Sequence, residues 1–420
     1  MRALVCDVSV PRQVVSGLLG RLDKRFFFGP FSPAALKDIP EPELPADDWV
    51  VIQTRLCGIC GSDYKQMFLN GNMDNPMTAI ISFPQVLGHE VVGTIAKIGP
   101  AVTTRKVGDR VVLNPWLSCG PRGITPPCPE CQRGQYSICR NFARGIIPPG
   151  IHTGNSSKAT GGFAPLVPAH ESMCIPIPDG VSYEQAVLAD PFSVSLHGIL
   201  KRPPQPGATA LVYGCGTLGL LAIAILRHVH PDVRVFAVAR FEHQRRIAER
   251  FGAHVVLPHE PVRELIERIA SETGAQVLKP WFGLPWLYGG GIDVIYDTVG
   301  FPETVEAGVR IADSRGAIVI TGVEAPKRFE WTPLYFKEIA VIGSNAFGVE
   351  EFEGRRRHAM EIYLELVKSG RIDVTPILTH RFRLDDYRDA FLACGEQRES
   401  GAIKVLFDFD GNGRPGASRH

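Results

Sequence analysis

Hydrophobic and polar positions follow two different patterns along the 420-residue chain. Up to about residue 190, Gly- and Pro-rich stretches separate short β-branched runs, which predicts a mostly β domain with irregular loops: WVVIQTRL, EVVGTIAKIG and DRVVLNP. From about residue 207 to 345, strand-like runs alternate with helical periods such as EHQRRIAERFGA and PVRELIERIASETG. The strand-like runs are ATALVYG, VRVFAVAR, IDVIYDTVG, AIVITGV and IAVIGS. This alternation is typical of a parallel, doubly wound α/β sheet.

The pattern changes again after about residue 345. The stretch FEGRRRHAMEIYLELVKSGRI predicts one amphipathic helix over 352–372, and two strand-like runs follow it, ILTHRF and AIKVLFDF. We expect this last segment to return to the first domain. The predicted domains are therefore 1–190 with 346–420, and 191–345. The polar, Gly-rich end, DGNGRPGASRH, is predicted to fray.

Composition and charge indicate a globular protein rather than a partner of nucleic acid or of an anionic membrane. Apolar residues make up 45% of the chain, charged residues 21%, and the formal net charge is +1. The uncharged stretch 210–226 is nearly long enough to span a membrane, but Gly214, Gly216 and Gly219 divide it into a strand and a helix. Because MRALVCDVSV lacks the features of a signal peptide, we expect a cytoplasmic protein.

The ten cysteines are expected to be reduced thiols, so clustered ones indicate metal binding. Cys128, Cys131 and Cys139 lie in CPECQRGQYSIC, and Cys119 precedes them. Four thiolates in one short stretch suit a closed tetrahedral zinc site. Two alternatives stay open: four unrelated thiols, or a redox CxxC pair, which lacks its usual βαβ surroundings here.

A second set of candidate metal ligands is spread along the chain. It comprises Cys60 in CGICGSD, His89 and Glu90 in GHE, and Asp190 in LADPFSV. Singly, each is ordinary, since a lone Cys is usually a small buried hydrophobe and a His beside a Glu is usually a surface pair. Three ligands of mixed N, S and O type would leave zinc an open position for substrate, which is the catalytic arrangement.

A GxGxxG motif lies between a strand candidate and a helix candidate. Its residues are Gly214, Cys215, Gly216, Thr217, Leu218 and Gly219. Glycines there permit a tight turn and let backbone N–H groups approach a dinucleotide pyrophosphate at the helix N-terminus. The alternative is a glycine-rich turn that binds nothing.

The residues after the next strand candidate bear on which nucleotide is bound. NAD-binding proteins usually place an acidic residue there to bind the ribose 2′-hydroxyl. This chain has Ala239 and then Arg240, whose planar cation suits a phosphate. We therefore predict NADP(H) over NAD(H), with a solvated loop arginine as the alternative.

Taken together, GHEVVGTIAKIGPAV, CGICGSD, the cysteine cluster and GxGxxG resemble the zinc-containing medium-chain dehydrogenase/reductase (alcohol dehydrogenase) superfamily over nearly the whole chain. LADPFSVSLH and THRFRLDDYRDAF resemble its polyol and threonine dehydrogenase branches more than animal ethanol dehydrogenases. The resemblance implies a GroES-like, mostly β catalytic domain and a Rossmann doubly wound parallel-sheet domain. It also implies a homodimer or homotetramer joined near AVIGSNAF.

The resemblance also implies roles for the candidate ligands. Cys60, His89 and Asp190 match the catalytic zinc ligands, and Glu90 matches a glutamate that can enter the coordination sphere; whether Glu90 or Asp190 is the resting ligand stays open. The neighbouring Cys57 does not match a ligand. The four clustered cysteines match a structural zinc site, which makes two zinc ions per chain: Cys119, Cys128, Cys131 and Cys139.

Two further residues match the catalytic machinery of the family. Asp63 would orient His89, and Ser62 would take the alcohol proton. Tyr64 and Trp116 are candidates for the pocket wall, although core packing explains their residue types equally well.

Three features depart from the family pattern. Eight residues, GPRGITPP, separate Cys119 from Cys128 where about two are usual, so a longer loop must fold back. Lys65 stands where a relay histidine is common. The aromatic insert Leu278–Gly291 (LKPWFGLPWLYGGG) is either a partner surface or an Ω-like loop packed on its own domain.

These observations predict a zinc-dependent oxidoreductase that transfers a hydride between an alcohol or polyol, or its carbonyl form, and NADP(H). Two alternatives remain. A metal-independent enone or quinone reductase of the same superfamily would not need Cys60, GHE or Asp190. The other is a nucleotide-binding structural or regulatory protein that has lost catalysis, although no candidate ligand is missing from the sequence.

Overall fold

The computed structural model describes residues 1–7, 10–20, 22–29, 31–70, 75–322 and 329–410. Its strands are β1 (Arg2–Cys6), β2 (Ala34–Asp38), β3 (Trp49–Gly58), β4 (Gln85–Val86), β5 (Glu90–Ile98), β6 (Arg110–Leu113), β7 (Leu166–His170), β8 (Cys174–Pro176), β9 (Thr209–Tyr213), β10 (Arg234–Ala239), β11 (Val255–Pro258), β12 (Gln276–Leu278), β13 (Trp286–Tyr288), β14 (Ile292–Asp297), β15 (Ala312–Ile320), β16 (Ala340–Gly343), β17 (Val349–Phe352), β18 (Arg355–His358), β19 (Leu378–Phe382) and β20 (Lys404–Asp408).

The α-helices are α1 (Val10–Gly20), α2 (Gly61–Met67), α3 (Pro129–Gln132), α4 (Tyr183–Ala186), α5 (Ala189–Lys201), α6 (Thr217–Val229), α7 (Glu242–Arg250), α8 (Val262–Thr273), α9 (Pro302–Ile311), α10 (Thr332–Phe336), α11 (Ala359–Lys368), α12 (Tyr387–Gly395) and α13 (Gln397–Ser400). Among the described residues, no helix is both long enough and apolar enough to cross a bilayer. Of the predicted frayed end, residues 410–420, the structure describes only Asp410, which forms an ion pair with Arg55; residues 411–420 lie outside the described part of the chain.

The chain forms two compact units. The first comprises residues 1–190, 351–368 and the chain from 378, and the second comprises residues 191–350 and 369–377. The first unit is built on a sheet of order β19-β20-β3-β5-β6-β8, with β7 also paired to β3, and on a small sheet of order β2-β1-β4. Its aromatic core includes Phe163, which contacts Phe407 edge-to-face at 4.8 Å between ring centroids and Phe391 at 6.2 Å.

Register in the first unit determines which loops meet. At the end of β3, Gly58 is paired both with Glu90, the first residue of β5, and with Leu406 of β20. The backbone N–H of Ile59 also donates to the carbonyl of Val405 at 2.9 Å. The loop after β3, the start of β5 and the start of β20 therefore converge at one edge of the sheet.

The second unit has a six-stranded parallel sheet of order β11-β10-β9-β14-β15-β16. The uncharged stretch 210–226 divides as predicted into β9, a turn and α6. Strand β9 lies in the interior of the sheet, and Leu220 to Leu226 of α6 are buried against the core. The strand order β11-β10-β9-β14-β15-β16 reverses direction at β9, and right-handed βαβ crossovers in such a sheet place helices on both faces, which explains the near-continuous apolar strands.

One predicted helix is partly wrong. Residues 352–358 do not begin the helix expected over 352–372; they belong to the hairpin formed by β17 and β18. Its two-residue turn, Glu353-Gly354, has φ values of 50° and 71°, the signs that a type I′ turn requires. Helix α11 begins only at Ala359.

The aromatic insert is a hairpin, not an Ω-like loop. Strands β12 and β13 pair antiparallel, with Val277 opposite Leu287. Leu287 is fully buried, whereas Trp281 and Phe282 at the tip are 97% and 92% exposed. The hairpin base thus packs on its own unit, and the tip projects an apolar surface.

Candidate metal sites and cofactor site

The converging loops of the first unit bring three of the predicted ligands together. One ligand atom from each of Cys60, His89 and Glu90 lies within 4.8 Å of the other two. His89 and Glu90 are buried, and Nδ1 of His89 is buried without a hydrogen-bond partner among the described residues. A thiol, an imidazole and a carboxylate this close together fit a transition-metal ion such as zinc.

Asp63 contacts the loops that carry Cys60 and His89. Its Oδ2 accepts from the backbone N–H of Cys60 at 3.0 Å, and its Oδ1 accepts from the N–H of Gly88 at 3.3 Å. Oδ1 lies 3.8 Å from Nδ1 of His89, which is within ion-pair range but too long for a hydrogen bond. Burial raises the pKa of Asp63, while His89 and the two N–H groups act to lower it. Asp63 therefore tethers the backbones of both ligand-bearing loops.

A buried lysine that sequence reasoning missed contacts Glu90. Nζ of Lys404, in β20, forms an ion pair with Oε2 of Glu90 and donates to the carbonyl of Ile59 at 3.1 Å. Both charged side chains are only 2% exposed. Burial acts to lower the pKa of Lys404, but Glu90 and other anionic neighbours raise it above its ordinary value. The negative charge of the buried Glu90 carboxylate is therefore balanced by Lys404 without a metal ion.

Asp190 does not join the group of three. It is the second residue of α5 and is buried, but its oxygens are not within 4.8 Å of all three ligand atoms. Burial raises the pKa of Asp190 to about 7, and His89 acts in the opposite direction. Glu90 is therefore the carboxylate that groups with Cys60 and His89 in this structure.

The predicted proton-relay residue Ser62 and the predicted wall residue Tyr64 both lie on α2. Ser62 and Lys65 are half-buried, three residues apart on α2. Tyr64 packs on Phe68 at 4.5 Å between ring centroids, and Lys24 donates to its hydroxyl at 3.1 Å, so its ring belongs to the local packing.

A histidine that sequence reasoning missed, His152, lies beside His89, and Trp116 contacts that histidine. The ring of His152 lies against that of His89 in a tilted arrangement, with 4.4 Å between ring centroids and 46° between ring planes, and the indole of Trp116 meets His152 edge-on at 5.9 Å. Nδ1 of His152 lies 2.7 Å from the carbonyl of Thr153, which fixes a tautomer with Nε2 as the acceptor. Burial lowers the pKa of His152 to about 3, and His89 acts in the same direction. A neutral imidazole therefore borders this site.

The four clustered cysteines form a second site in the same unit. Sγ of Cys119 lies 3.6 Å from Sγ of Cys139, and Sγ of Cys128 lies 3.9 Å from it. A tetrahedral zinc with bonds of about 2.3 Å to sulfur requires S···S separations of about 3.8 Å. Side-chain hydrogen bonding with Cys139 lowers the pKa of the Cys131 thiol to about 5, against the effect of burial. Burial raises the pKa of Cys128, and hydrogen bonding with Cys131 together with burial raises that of Cys139. The positions of the four sulfur atoms fit zinc.

The eight-residue spacer folds back as the sequence requires. Backbone N–H groups of Gly123 and Ile124 donate to the carbonyls of Gly120 and Cys119 at 2.9 and 3.0 Å. The N–H of Cys128 then donates to Sγ of Cys119 at 3.3 Å. Thus the first cysteine joins the other three.

The GxGxxG residues form the turn between β9 and α6. Gly214 has a φ of +96°, and a Cβ at Gly219 would lie 1.8 Å from the Gly214 carbonyl oxygen. Gly216 is the N-cap of α6, with open space where a side chain would be, and Thr217 and Leu218 begin the helix. The helix N-terminus is therefore approachable by a phosphate group.

Arg240 lies at the same sheet edge as this turn. Strands β9 and β10 are parallel neighbours, and the N–H of Gly214 donates to the carbonyl of Val238 at 3.2 Å. Ala239 is buried, whereas Arg240 is exposed, with its guanidinium over the ring of Phe241 at 5.3 Å. The cation is thus available to a phosphate next to the glycine turn.

Comparison with known proteins agrees with this architecture. A family model described as "Alcohol dehydrogenase GroES-like domain" matches residues 46–179, and one described as "Zinc-binding dehydrogenase" matches 217–361. (R,R)-butanediol dehydrogenase of Saccharomyces cerevisiae is 28% identical over 395 residues, which cover 90% of this chain and 95% of the relative. Sorbitol dehydrogenase of Bacillus subtilis is 28% identical over 373 residues, which cover 88% of this chain and 93% of the relative.

A solved structure extends the comparison to three dimensions. The 2R,3R-butanediol dehydrogenase from Bacillus subtilis aligns with a TM-score of 0.68 at 26% identity, over 89% of this chain and 96% of that chain. The chain therefore belongs to the zinc-containing medium-chain dehydrogenase/reductase superfamily, in its polyol branch. It is an alcohol dehydrogenase that depends on zinc and a nicotinamide cofactor, and the predicted fold class, a GroES-like β domain plus a Rossmann domain, is confirmed.

Proposed function

We propose that this protein oxidises a secondary alcohol group of a diol or polyol, or reduces the corresponding ketone, with NADP(H). The observation that carries the proposal is the grouping of Cys60, His89 and Glu90 within 4.8 Å, next to a neutral imidazole and an indole. The names of the relatives, butanediol and sorbitol dehydrogenases, support a substrate with neighbouring hydroxyls.

Two metal sites follow from the two ligand groups. Cys60 and His89, with Glu90 or Asp190, would hold a catalytic zinc, and the four clustered cysteines would hold a structural one. When bound, the catalytic zinc supplies a Lewis acid for the substrate oxygen, and the nicotinamide accepts or donates the hydride. Asp63 keeps the Cys60 and His89 loops in place through its two backbone hydrogen bonds.

The remaining residues of the site handle the proton and the substrate. Ser62 takes the hydroxyl proton and passes it toward solvent, with Lys65 in the position of the usual relay histidine. Trp116 excludes water from one wall. Nε2 of His152, an acceptor by its tautomer, receives a hydrogen bond from a hydroxyl next to the reacting carbon. A simple monohydric alcohol lacks that second hydroxyl, so it binds less well.

The same proposal covers the roles of the two domains, the location of the protein and its oligomeric state. Residues 1–190 with 346–420 act as the catalytic domain, and residues 191–345 act as the nucleotide-binding domain. We propose a cytoplasmic homodimer or homotetramer. The exposed edge strand β16, at the end of the six-stranded sheet, is the element that a second copy would pair with.

Arg240→Asp tests the cofactor assignment. The wild type is expected to prefer NADPH, because Arg240 makes a charge-assisted contact with the 2′-phosphate at the glycine turn. The variant should lose about 10²-fold in kcat/KM with NADPH, since about 2–3 kcal/mol is lost, and little with NADH. Steady-state kinetics with a 2,3-diol, a sugar alcohol and ethanol as substrates measures both the cofactor preference and the expected preference for diols.

The matched control for this experiment is Arg245→Asp, an exposed arginine on α7 that pairs with Glu249 within its own helix. It should leave both cofactors' kinetics within about twofold, because surface ion pairs contribute little. Equal efficiency of the wild type with NADH and NADPH would overturn the NADP(H) assignment. Equal efficiency with ethanol and the diols would overturn the substrate class.

A further inference from the structure

Arg122, within the eight-residue spacer, is a fully buried cation that the mechanism above does not use. Among the described residues, its guanidinium donates only to backbone carbonyls, and all three of its nitrogens are engaged. Nε donates to Leu117 at 2.8 Å; Nη1 donates to Arg144 at 2.8 Å and Ile147 at 3.0 Å; Nη2 donates to Pro148 at 3.3 Å and Gly150 at 2.6 Å. Five carbonyls in fixed positions match the five N–H donors of a planar guanidinium. Lys, which has only three donors, could not satisfy them all, so the site is specific for arginine.

The segment 144–150 closes tightly around this side chain. Gly145 has a φ of +92°, and a Cβ there would lie 2.3 Å from the carbonyl oxygen of Arg122. The N–H of Ile146 donates to that same carbonyl at 3.1 Å. Arg122 therefore fixes the segment through both its side chain and its backbone.

Carbonyl groups do not neutralise the charge of a buried guanidinium. Arg122 lies next to the cysteine cluster, since its backbone N–H donates to the carbonyl of Cys119 at 3.2 Å. Burial lowers the pKa of its guanidinium, and within the described part of the chain Cys139 and Cys119 act to raise it. Four thiolates around a divalent zinc carry a net charge of about −2. A cation beside that centre offsets part of the charge, and a zinc centre conversely makes the buried cation tolerable.

The carbonyls that Arg122 binds also flank the wall of the other site. Leu117 follows Trp116, and Gly150 precedes His152 by two residues. These two wall residues form an isolated antiparallel bridge, and the N–H of Leu117 donates to the carbonyl of Ile151 at 3.0 Å. Arg122 donates to a carbonyl on each side of this bridge, and His152 contacts His89 with 4.4 Å between ring centroids and 46° between ring planes. The guanidinium is thus the link between the four-cysteine cluster and the His89 site.

We propose that Arg122 is a positioning residue with two separable effects. Its charge stabilises zinc in the four-cysteine site. Its fork of hydrogen bonds holds the bridge between Trp116 and His152 in place, keeps His152 against His89, and so sets how substrate binds. The inference rests on the proposed function, namely on zinc in the cysteine cluster and on substrate beside His152.

Two substitutions in the full-length holoenzyme separate the two effects. Arg122→Lys keeps the charge but serves at most three acceptors, whereas Arg122→Met keeps the approximate volume and removes both charge and hydrogen bonds. Arg140→Met is the control, because Arg140 lies next to the cluster, pairs with Glu130 and has a side chain that is 64% exposed. For each protein we would measure zinc per chain, the rate of zinc transfer to a chelating dye, and kcat and KM for the alcohol.

Arg122→Lys should retain two zinc ions and the wild-type rate of zinc transfer, while KM rises about tenfold and kcat changes less than about threefold. Arg122→Met should show the same KM change and release one zinc at least about tenfold faster. Arg140→Met should match the wild type in both respects. A merely structural role would lower the amount of folded protein. It would not change KM more than kcat, and it would not make zinc release differ between Arg122→Lys and Arg122→Met.

Some outcomes would overturn the inference without touching the proposed function. If the wild type holds two zinc ions but Arg122→Lys has an unchanged KM, the positioning effect is wrong. If the wild type holds two zinc ions but Arg122→Met and Arg140→Met release zinc at equal rates, the charge effect is wrong. If Arg122→Met does not fold, the KM of Arg122→Lys decides the positioning effect. A wild type without zinc in the cysteine cluster would instead contradict the proposed function itself.

Discussion

Cys60→Ala is expected to abolish alcohol oxidation while leaving NADPH binding intact. Cys60 supplies the sulfur ligand in the group with His89 and Glu90, and its backbone N–H anchors Asp63. Loss of the Lewis acid should lower kcat/KM by at least about 10³-fold, on the order of 4 kcal/mol of transition-state stabilisation. Zinc analysis should fall from two ions per chain to one, and fluorescence titration should give an unchanged Kd for NADPH, because the glycine turn lies in the other unit.

Cys57→Ala is the matched control for this experiment. Cys57 precedes Cys60 by three residues and is fully buried in β3, but it is outside the group of three ligand atoms. Its loss should leave both zinc ions in place and kcat/KM within about fivefold of the wild type, which is the scale of a small packing defect. Alcohol turnover by Cys60→Ala at a wild-type rate would contradict the catalytic role of the site.

Cys131→Ala is expected to remove the other zinc and to destabilise the first unit. Cys131 belongs to a cluster whose S···S separations of 3.6 and 3.9 Å suit a single tetrahedral ion, and three remaining thiols do not close such a site. Structural zinc contributes folding free energy directly, so the apparent Tm should fall by on the order of 10 °C. Thermal unfolding and zinc analysis on the same sample measure both effects.

The control for the cluster is Cys174→Ala, a buried cysteine in β8 of the same unit that is not part of the four-cysteine group. It should keep two zinc ions and lose only a few degrees in Tm. Together, the variants predict a reciprocal pattern: Cys60→Ala loses activity more than stability, and Cys131→Ala loses stability first. If Cys131→Ala retained two zinc ions and the wild-type Tm, the structural site would be wrong.

Much of the fold follows from periodicity. The run predicted from WVVIQTRL is β3, and the β-branched runs of the second unit are β9, β10, β14, β15 and β16. Such runs are predictable because burial on both faces of a parallel sheet demands continuous apolar sequence. The hairpin at Glu353-Gly354 was not predicted, because local turn chemistry outweighed the helical spacing that continues into α11.

The parts of the site that could be predicted are those whose functional residues lie close together in the sequence. The four clustered cysteines and the GHE pair are local signals. Lys404 left one signal, a lone lysine in the apolar run AIKVLFDF, since such a lysine needs a buried partner. Arg122 and His152 could not be found this way, because each lies in a Gly- and Pro-rich loop whose conformation has no period. Which carboxylate groups with Cys60 likewise depends on the strand register that pairs Gly58 with Glu90.

The most direct test of the central claim is turnover of a panel of alcohols and ketones with NADP(H) and NAD(H), before and after zinc chelation and after zinc is restored. We expect oxidation of a diol or polyol with NADP+, loss of this activity on chelation while NADPH still binds, and return of the activity with Zn²⁺. Chelator-insensitive reduction of enones or quinones would contradict the account in favour of a metal-independent reductase. Nucleotide binding without turnover of any substrate would contradict it in favour of an inactive nucleotide-binding protein.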